Sequence, residues 1–207
     1  QECPWWKHKV FEEGEVGLDP AKATIEGWSR YKEGDRPYTV YFSAKFIGKV
    51  ARHGVWEGGV LMHSRAKSRH SQTEQMGAYF GFPTEEGQTV EFRVAVSLQS
   101  FAKARQYLDR ESQGRSFDQQ VARTRSLWNA RLASLEFKTP DPRLRTMLAT
   151  SLYRAQVMPR DRTGDHPTWP DSAQFWDDHY CLWDTFRTKY PLMTLLDPPM
   201  VRDSVMS

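Results

Sequence analysis

Apolar and polar residues alternate along three stretches of the N-terminal half, and a period of two is typical of half-buried β-strands. The stretches are residues 38–46, 76–82 and 89–99. The turn between the second and third stretches is short, so we expect these two strands to pair as a hairpin. Residues 1–99 therefore predict an antiparallel β-domain with one buried face, either half of a sandwich or a small complete one.

The alternation also predicts which face of each strand is buried. One face of residues 38–46 carries Tyr38, Val40, Phe42, Ala44 and Phe46. In residues 89–99 we expect the inward face to carry Val90, Phe92, Val94, Val96 and Leu98. The outward face is expected to carry Glu91, Arg93 and Ser97.

The other N-terminal segments give weaker patterns. Residues 1–36 are aromatic, charged and glycine-rich without a clean period, and residues 48–59 are rich in turn formers. A short strand is predicted at residues 60–63. Residues 64–73 are polar and basic, which would suit a nucleic-acid or phosphate patch, but the rest of the chain has no matching basic face. A solvated loop between strands is therefore the favoured interpretation.

The apolar spacing changes to three and four residues after residue 101, which is the period of an amphipathic helix. Ser116 and Gln119 predict a capping box at the start of one helix. Asp141 followed by Pro142 predicts the start of another. The stripe behind the capping box comprises Phe117, Val121, Thr124, Trp128, Leu132 and Leu135.

Residues 160–174 predict a loop, and residues 182–196 return to a helical pattern. The apolar positions near one stripe of this last helix are Trp183, Phe186, Tyr190 and Met193. Strands followed by helices predict an α+β protein or two domains in series.

The composition limits the possible functions. Apolar residues make up 39%, charged residues 27% and aromatic residues 13% of the 207 residues, which is typical of a globular protein with an aromatic-rich core or ligand surface. A net charge of +3 gives no reason to expect nucleic acid or an anionic membrane as a partner. No apolar run reaches the ~18 residues that a membrane span needs.

The N-terminus and the cysteines give little information on the compartment. No signal peptide is visible, and because Gln1 is not a translation start, we expect a trimmed N-terminus. Cys3 and Cys181 are far apart in sequence, and two free thiols are favoured over one long-range disulfide.

Residues 175–192 combine six aromatic side chains with three carboxylates, an arginine and a histidine. Core segments rarely carry so much charge among aromatics, and solvated segments rarely carry so many aromatics. The mixture favours a pocket that stacks a polar ring on aromatic faces and hydrogen-bonds its hydroxyl groups. Sugars are ligands of this kind.

The sequence Leu-Trp-Asp-Thr-Phe-Arg at residues 182–187 resembles the signature of glycoside hydrolase family 92, the calcium-dependent exo-acting α-mannosidases. Other stretches resemble the family in the same order, and the resemblance covers roughly residues 25–206. They are residues 36–46, 77–79 with 87–97, 128–129, 152–154 with 158–160, and 190–198.

The resemblance implies a β-sandwich at residues 1–99, a helical linker at 100–140 and the first helices of an (α/α)6 barrel at 141–207, with the active site between sandwich and barrel. It also implies hydrolysis of terminal α-linked mannose with inversion, by a Glu acid and an Asp base. Inverting hydrolases hold these two carboxyl groups ~6.5–9.5 Å apart. A calcium ion is implied to bind the mannose O2 and O3 atoms.

The family's catalytic and calcium-binding segments follow the 182–187 helix, so we expect them beyond Ser207. The chain is then an interior piece of a larger enzyme whose opening sandwich strands precede Gln1. The implied partners are a mannose-containing glycan and the remainder of the parent enzyme. The implied location is extracellular or periplasmic.

Asp184 and Arg187 are three residues apart in the predicted helix and so share a face. One interpretation is that Asp184 accepts hydrogen bonds from two sugar hydroxyls while Arg187 holds the Asp or donates to the same ring. The other is a buried structural ion pair. On spacing alone both stay open, and the resemblance favours sugar contact. Trp183 is either a stacking platform or part of the barrel core.

Asp177 and Asp178 form a candidate paired carboxylate or metal site. They depart from the small or aromatic residues that the family commonly has there, which favours a surface loop or a helix cap. His179 and His166 are expected to be structural.

Two other functions remain possible. The first is a carbohydrate-binding protein or a barrel glycosidase of other specificity. The second is a non-enzymatic β-sandwich interaction module, which the lack of a complete acid and base pair within these residues favours.

Overall fold

The computed structural model describes residues 9–33, 36–70, 75–112, 114–168, 170–179 and 181–207. A strand-rich part precedes a helix-rich part, as the sequence predicts for an α+β protein. The chain divides into two compact units, Gln1–Arg115 and Ser116–Ser207. The first unit holds helix α1 (Phe101–Ser112) and strands β1 (Lys9–Asp19), β2 (Thr24–Glu33), β3 (Arg36–Ile47), β4 (Arg52–Glu57), β5 (Val60–His63), β6 (Lys67–His70), β7 (Met76–Gly81) and β8 (Glu91–Ser97).

Two antiparallel sheets form the first unit. The strand order is β6-β1-β2-β3-β8 in one sheet and β5-β4-β7 in the other. The core lies where the sheets face each other, because apolar side chains alternate toward that side. Its buried residues are Val16, Ile25 and Ala44, with Met76, Ala78 and Phe80 packed against them.

The predicted hairpin between residues 76–82 and 89–99 is wrong, because β7 pairs with β4 and β8 pairs with β3. The predicted burial of β8 is also reversed. Ser97 is 1% exposed, whereas Phe92, Val94 and Val96 are 52–53% exposed. Helix α1 packs against β3 and β8, and the second sheet packs on β1, β2 and β3. The polar face of β8 is therefore the covered one.

Strands β1, β2, β4 and β6 fall where the sequence predicts no strand. In β1 a register shift between Phe11 and Glu13 interrupts the period of two. In β2 a core position is occupied by Gly27, where an added Cβ would lie 2.5 Å from the Phe42 ring. The Phe42 ring fills the space that a side chain at position 27 would occupy. The sequence therefore has a glycine where an apolar residue would have indicated a strand.

The second unit begins with helices α2 (Phe117–Leu132) and α3 (Pro142–Ala155). Both predicted starts are confirmed: the capping box of α2 is complete, and Asp141 Oδ1 accepts a hydrogen bond from the Arg143 amide at 2.8 Å. The predicted stripe of α2 contains no buried residue among those described. The rest of the unit is β9 (Arg160–Asp161), β10 (Trp176–Asp177), α4 (Leu182–Thr185), α5 (Lys189–Leu196) and α6 (Pro198–Met206).

The break between the two units falls between residues 115 and 116, inside the predicted linker at 100–140. Helix α1 belongs to the first unit and α2 to the second.

Candidate functional site

The candidate site is the segment that joins β10 to α5. Helix α4 ends after four residues, residues 186–188 form a turn, and α5 starts at Lys189. Thr188 has a non-helical conformation, with φ −134° and ψ −54°. The helical character predicted at 182–196 is therefore confirmed in α4 and α5, but the turn at 186–188 interrupts it. Arg187 lies in the turn, so it does not share a helix face with Asp184.

The three predicted site residues are on the surface of the second unit. Trp183 is 73% exposed, and Asp184 and Arg187 are also exposed. Within the described residues, Asp184 and Arg187 form no ion pair with each other. The Arg187 guanidinium instead lies 5.5 Å from the centre of the Phe186 ring. A buried structural ion pair is therefore excluded for these two residues, and their polar groups face outward.

Two residues before and within this segment have left-handed backbones. Asp178 has φ 64° and Cys181 has φ 44°. Residues other than glycine rarely adopt this region. Cys181 is a free thiol, and Cys3 lies outside the described residues. The chain therefore enters α4 through two residues whose left-handed backbone conformation is unfavourable for residues other than glycine.

Two side-chain hydrogen bonds hold the C-terminal end of this segment. The Lys189 ammonium donates to the Met158 carbonyl, and Tyr190 Oη lies 3.1 Å from His179 Nδ1. Partial burial lowers the pKa of Lys189 and raises the pKa of Tyr190. His179 is structural, as predicted.

Asp177 and Asp178 are paired with arginines. Arg160 Nε lies 3.2 Å from Asp177 Oδ1 and 3.3 Å from Asp178 Oδ2. Arg162 Nε lies 3.6 Å from Asp177 Oδ2, and Arg162 Nη1 lies 3.4 Å from Asp165 Oδ2. The described residues contain no cluster of three or more His, Cys, Asp or Glu side chains that could hold a metal ion. The two aspartates therefore serve a salt-bridge network and do not fit a calcium site.

His166 also has a local structural environment. Its ring centre lies 4.2 Å from that of Phe175, and its Nδ1 accepts a hydrogen bond from the Thr168 amide at 3.2 Å.

A separate cavity of 720 Å³ lies between the two sheets of the first unit. Its wall is mainly apolar and includes Phe42, Phe46, Trp56 and Met76. No sequence pattern indicated it, because it results from the spacing of two sheets rather than from any one strand.

The chain matches the glycosyl hydrolase family 92 N-terminal domain over residues 6–97 and the glycosyl hydrolase family 92 catalytic domain over residues 103–207. It belongs to glycosyl hydrolase family 92, as the 182–187 sequence predicted.

Solved structures share the fold. A family 92 inverting mannosidase from Bacteroides thetaiotaomicron is 25% identical with a TM-score of 0.75, over 89% of this chain and 26% of that one. A family 92 α-mannosidase from the same organism, in complex with mannoimidazole, is 22% identical with a TM-score of 0.75, over 90% of this chain and 26% of its own.

A curated relative from Arthroderma benhamiae is described as an uncharacterized secreted glycosidase. It is 30% identical over 118 residues, which are 54% of this chain and 15% of the relative. The chain thus spans about a quarter of the length of the solved structures and less of the curated relative. Among the described helices, none has the length and apolar character that crossing a membrane requires.

Proposed function

We propose that this chain forms the sugar-contacting wall of an inverting glycoside hydrolase that removes terminal α-linked mannose from glycans. The observation that carries the proposal is the exposure of Trp183, Asp184 and Arg187 on one short segment without internal polar partners among the described residues. Membership in family 92 supports the hydrolase class. The inverting mannosidase and the mannoimidazole complex among its structural neighbours support mannose.

Each of the three side chains has a role that its chemistry suits. The Asp184 carboxylate accepts hydrogen bonds from two adjacent sugar hydroxyls, and the Arg187 guanidinium donates to the same ring. The Trp183 indole packs against the apolar face of the pyranose. Because no internal partner has to be displaced, these groups are available to a ligand.

The general acid and base are proposed to lie in the remainder of the parent enzyme, beyond Ser207. Calcium is part of the same proposal, with ligands from outside the described residues, since the carboxylates at 177 and 178 are neutralised by arginines. An extracellular or periplasmic location is proposed from the description of the A. benhamiae relative as secreted.

The test on this chain is a titration of the ¹⁵N-labelled protein with methyl α-mannoside, followed by the Trp183 indole resonance. We expect saturable chemical-shift changes at Trp183. The Asp184→Asn variant should bind methyl α-mannoside at least about tenfold more weakly, because one charge-assisted hydrogen bond is lost. Asp118→Asn, an exposed aspartate on α2, is the matched control.

The outcomes separate the candidate functions. Tighter binding of methyl α-glucoside than of the mannoside would favour a glycosidase or binding protein of other specificity. Absence of binding to both would reject the proposal and favour an interaction module. For the parent enzyme, we expect release of mannose that a chelator abolishes.

A further inference from the structure

The two ends of the segment at residues 178–189 are tied to the same short stretch, residues 158–162, which follows helix α3. At the first end, β10 pairs with β9 through Trp176 opposite Asp161 and Asp177 opposite Arg160. The Arg160 guanidinium then reaches both Asp177 and Asp178, at 3.2 and 3.3 Å. Both distances start from Nε, and Nη2 lies 3.4 Å from Asp177 Oδ2, so the planar fork contacts Asp177 through two nitrogens, which an ammonium group cannot do.

At the second end, the Lys189 ammonium donates to the Met158 carbonyl, two residues before Arg160. The Tyr190 hydroxyl bonds the His179 ring at 3.1 Å, which joins the two ends of the segment to each other. Lys189 is half-buried, so this hydrogen bond is partly shielded from water. The anchors therefore come from side chains on both sides of α4.

These anchors explain how the left-handed backbones at Asp178 and Cys181 persist. Non-glycine residues keep such conformations only where the surroundings over-determine them, and they concentrate at functional sites. The α4 segment itself contributes little burial, since Leu182, Trp183 and Phe186 are 56–73% exposed. Without the anchors, its hydrophobic contacts within the second unit would not hold it in place.

We infer that Arg160 and Lys189 are positioning residues that hold the segment carrying Trp183, Asp184 and Arg187 in its sugar-binding arrangement. The sugar part of this inference rests on the proposed function, whereas the anchoring does not. Lys189 acts through the Met158 carbonyl, and Arg160 acts through Asp177 and Asp178.

The test compares Lys189→Met with Lys189→Arg, using amide hydrogen exchange and mannoside affinity. The reporters are the amides of Thr185 and Phe186, which donate to the Cys181 and Leu182 carbonyls. We expect Lys189→Met to raise their exchange rates at least about tenfold and to weaken methyl α-mannoside binding by a similar factor, because opening and binding are coupled. Lys189→Arg should restore most of both effects, and Lys138→Met, at a side chain that is 90% exposed, should change neither.

Unchanged exchange at Thr185 and Phe186 in Lys189→Met would overturn the inference. If that variant fails to fold, Arg160→Lys decides in the same way, because it keeps the charge and loses the fork. If the wild-type chain binds no mannoside, the proposed function fails while the exchange data still decide the anchoring. If exchange rises but affinity stays unchanged, the positioning role is rejected and the proposed function stands.

Discussion

Glu26 on β2 and Arg105 on helix α1 form a bidentate ion pair, with Nε and Nη2 2.6 and 2.5 Å from the two carboxylate oxygens. Ser43 on β3 donates to the same carboxylate at 2.9 Å. Together these contacts fasten α1 over the polar face of the five-stranded sheet. The face that a simple alternation assigns to solvent is therefore covered by a helix.

This ion pair makes stability depend on pH. Hydrogen bonds from Arg105, and then from Ser43, hold the pKa of Glu26 below its ordinary value against the opposing effect of burial. Because the pKa of Glu26 is lower in the folded chain than in the unfolded chain, the unfolded chain binds the proton at a higher pH. The contribution is therefore complete above the ordinary glutamate pKa and is lost as pH falls through the lowered one.

We accordingly expect Glu26→Gln to lower the free energy of unfolding by about 1 kcal/mol at neutral pH, the upper range for a partly exposed pair. The difference from wild type should shrink when the pH is lowered from 7 to about 3, because the stability contributed by the ionised carboxylate is lost below the ordinary glutamate pKa. Urea denaturation at the two pH values measures it. Glu86→Gln, at an exposed turn position, is the control. A difference that grows on acidification would contradict the assignment.

Val55 and Val94 offer a matched pair within the first unit. Val55 is 0% exposed and Val94 is 53% exposed. We expect Val55→Ala to cost about 2 kcal/mol, from lost burial and the cavity that remains, and Val94→Ala to cost less than about 0.5 kcal/mol. Thermal or urea unfolding of both variants measures the difference. Equal losses would show that a contact covers the face of β8 that carries Val94.

Met193 and Leu195 form the equivalent pair on helix α5. Met193 is 1% exposed and Leu195 is 80% exposed. We expect Met193→Ala to destabilise the second unit by about 2 to 4 kcal/mol, and Leu195→Ala to leave it within about 0.5 kcal/mol. The Trp183 indole resonance can follow unfolding of this unit. A larger loss for Leu195→Ala would reverse the burial assigned to α5.

The arginine pairing of Asp177 and Asp178 predicts that this chain does not take up calcium at these residues. Adding calcium or a chelator should leave the melting temperature and the resonances of both aspartates unchanged, since positive charge already lies within 3.3 Å of each. Differential scanning fluorimetry and NMR titration provide the measurements. A calcium-dependent rise in Tm that disappears in Asp177→Asn would contradict this.

Local rules succeeded where the interaction is local. The capping box at Ser116 and Gln119, and the start of α3 at Asp141 and Pro142, need only three or four neighbouring residues. The alternation at 38–46 predicted strand β3 for the same reason. These features follow from backbone geometry and side-chain reach within one turn or strand.

The assignment of β8 failed because burial depends on what lies above each face. Alternation in residues 89–99 identifies a strand, but it does not reveal that α1 covers Ser97 or that β7 belongs to another sheet. The helical character predicted at 182–196 holds in α4 and α5, but the sequence did not reveal the turn at 186–188 between them, in a segment whose two ends contact residues 158–162. Both differences concern contacts between residues distant in sequence.

The sequence by itself determined the strand and helix character of these segments, the helix starts and the family, because local geometry and the 182–187 motif are written in consecutive residues. Only the tertiary structure decided that Asp184 and Arg187 form no ion pair with each other, that Asp177 and Asp178 pair with arginines, and that Lys189 hydrogen-bonds to the Met158 carbonyl. These arrangements depend on side chains brought together across loops, and no periodicity along the chain encodes such distances.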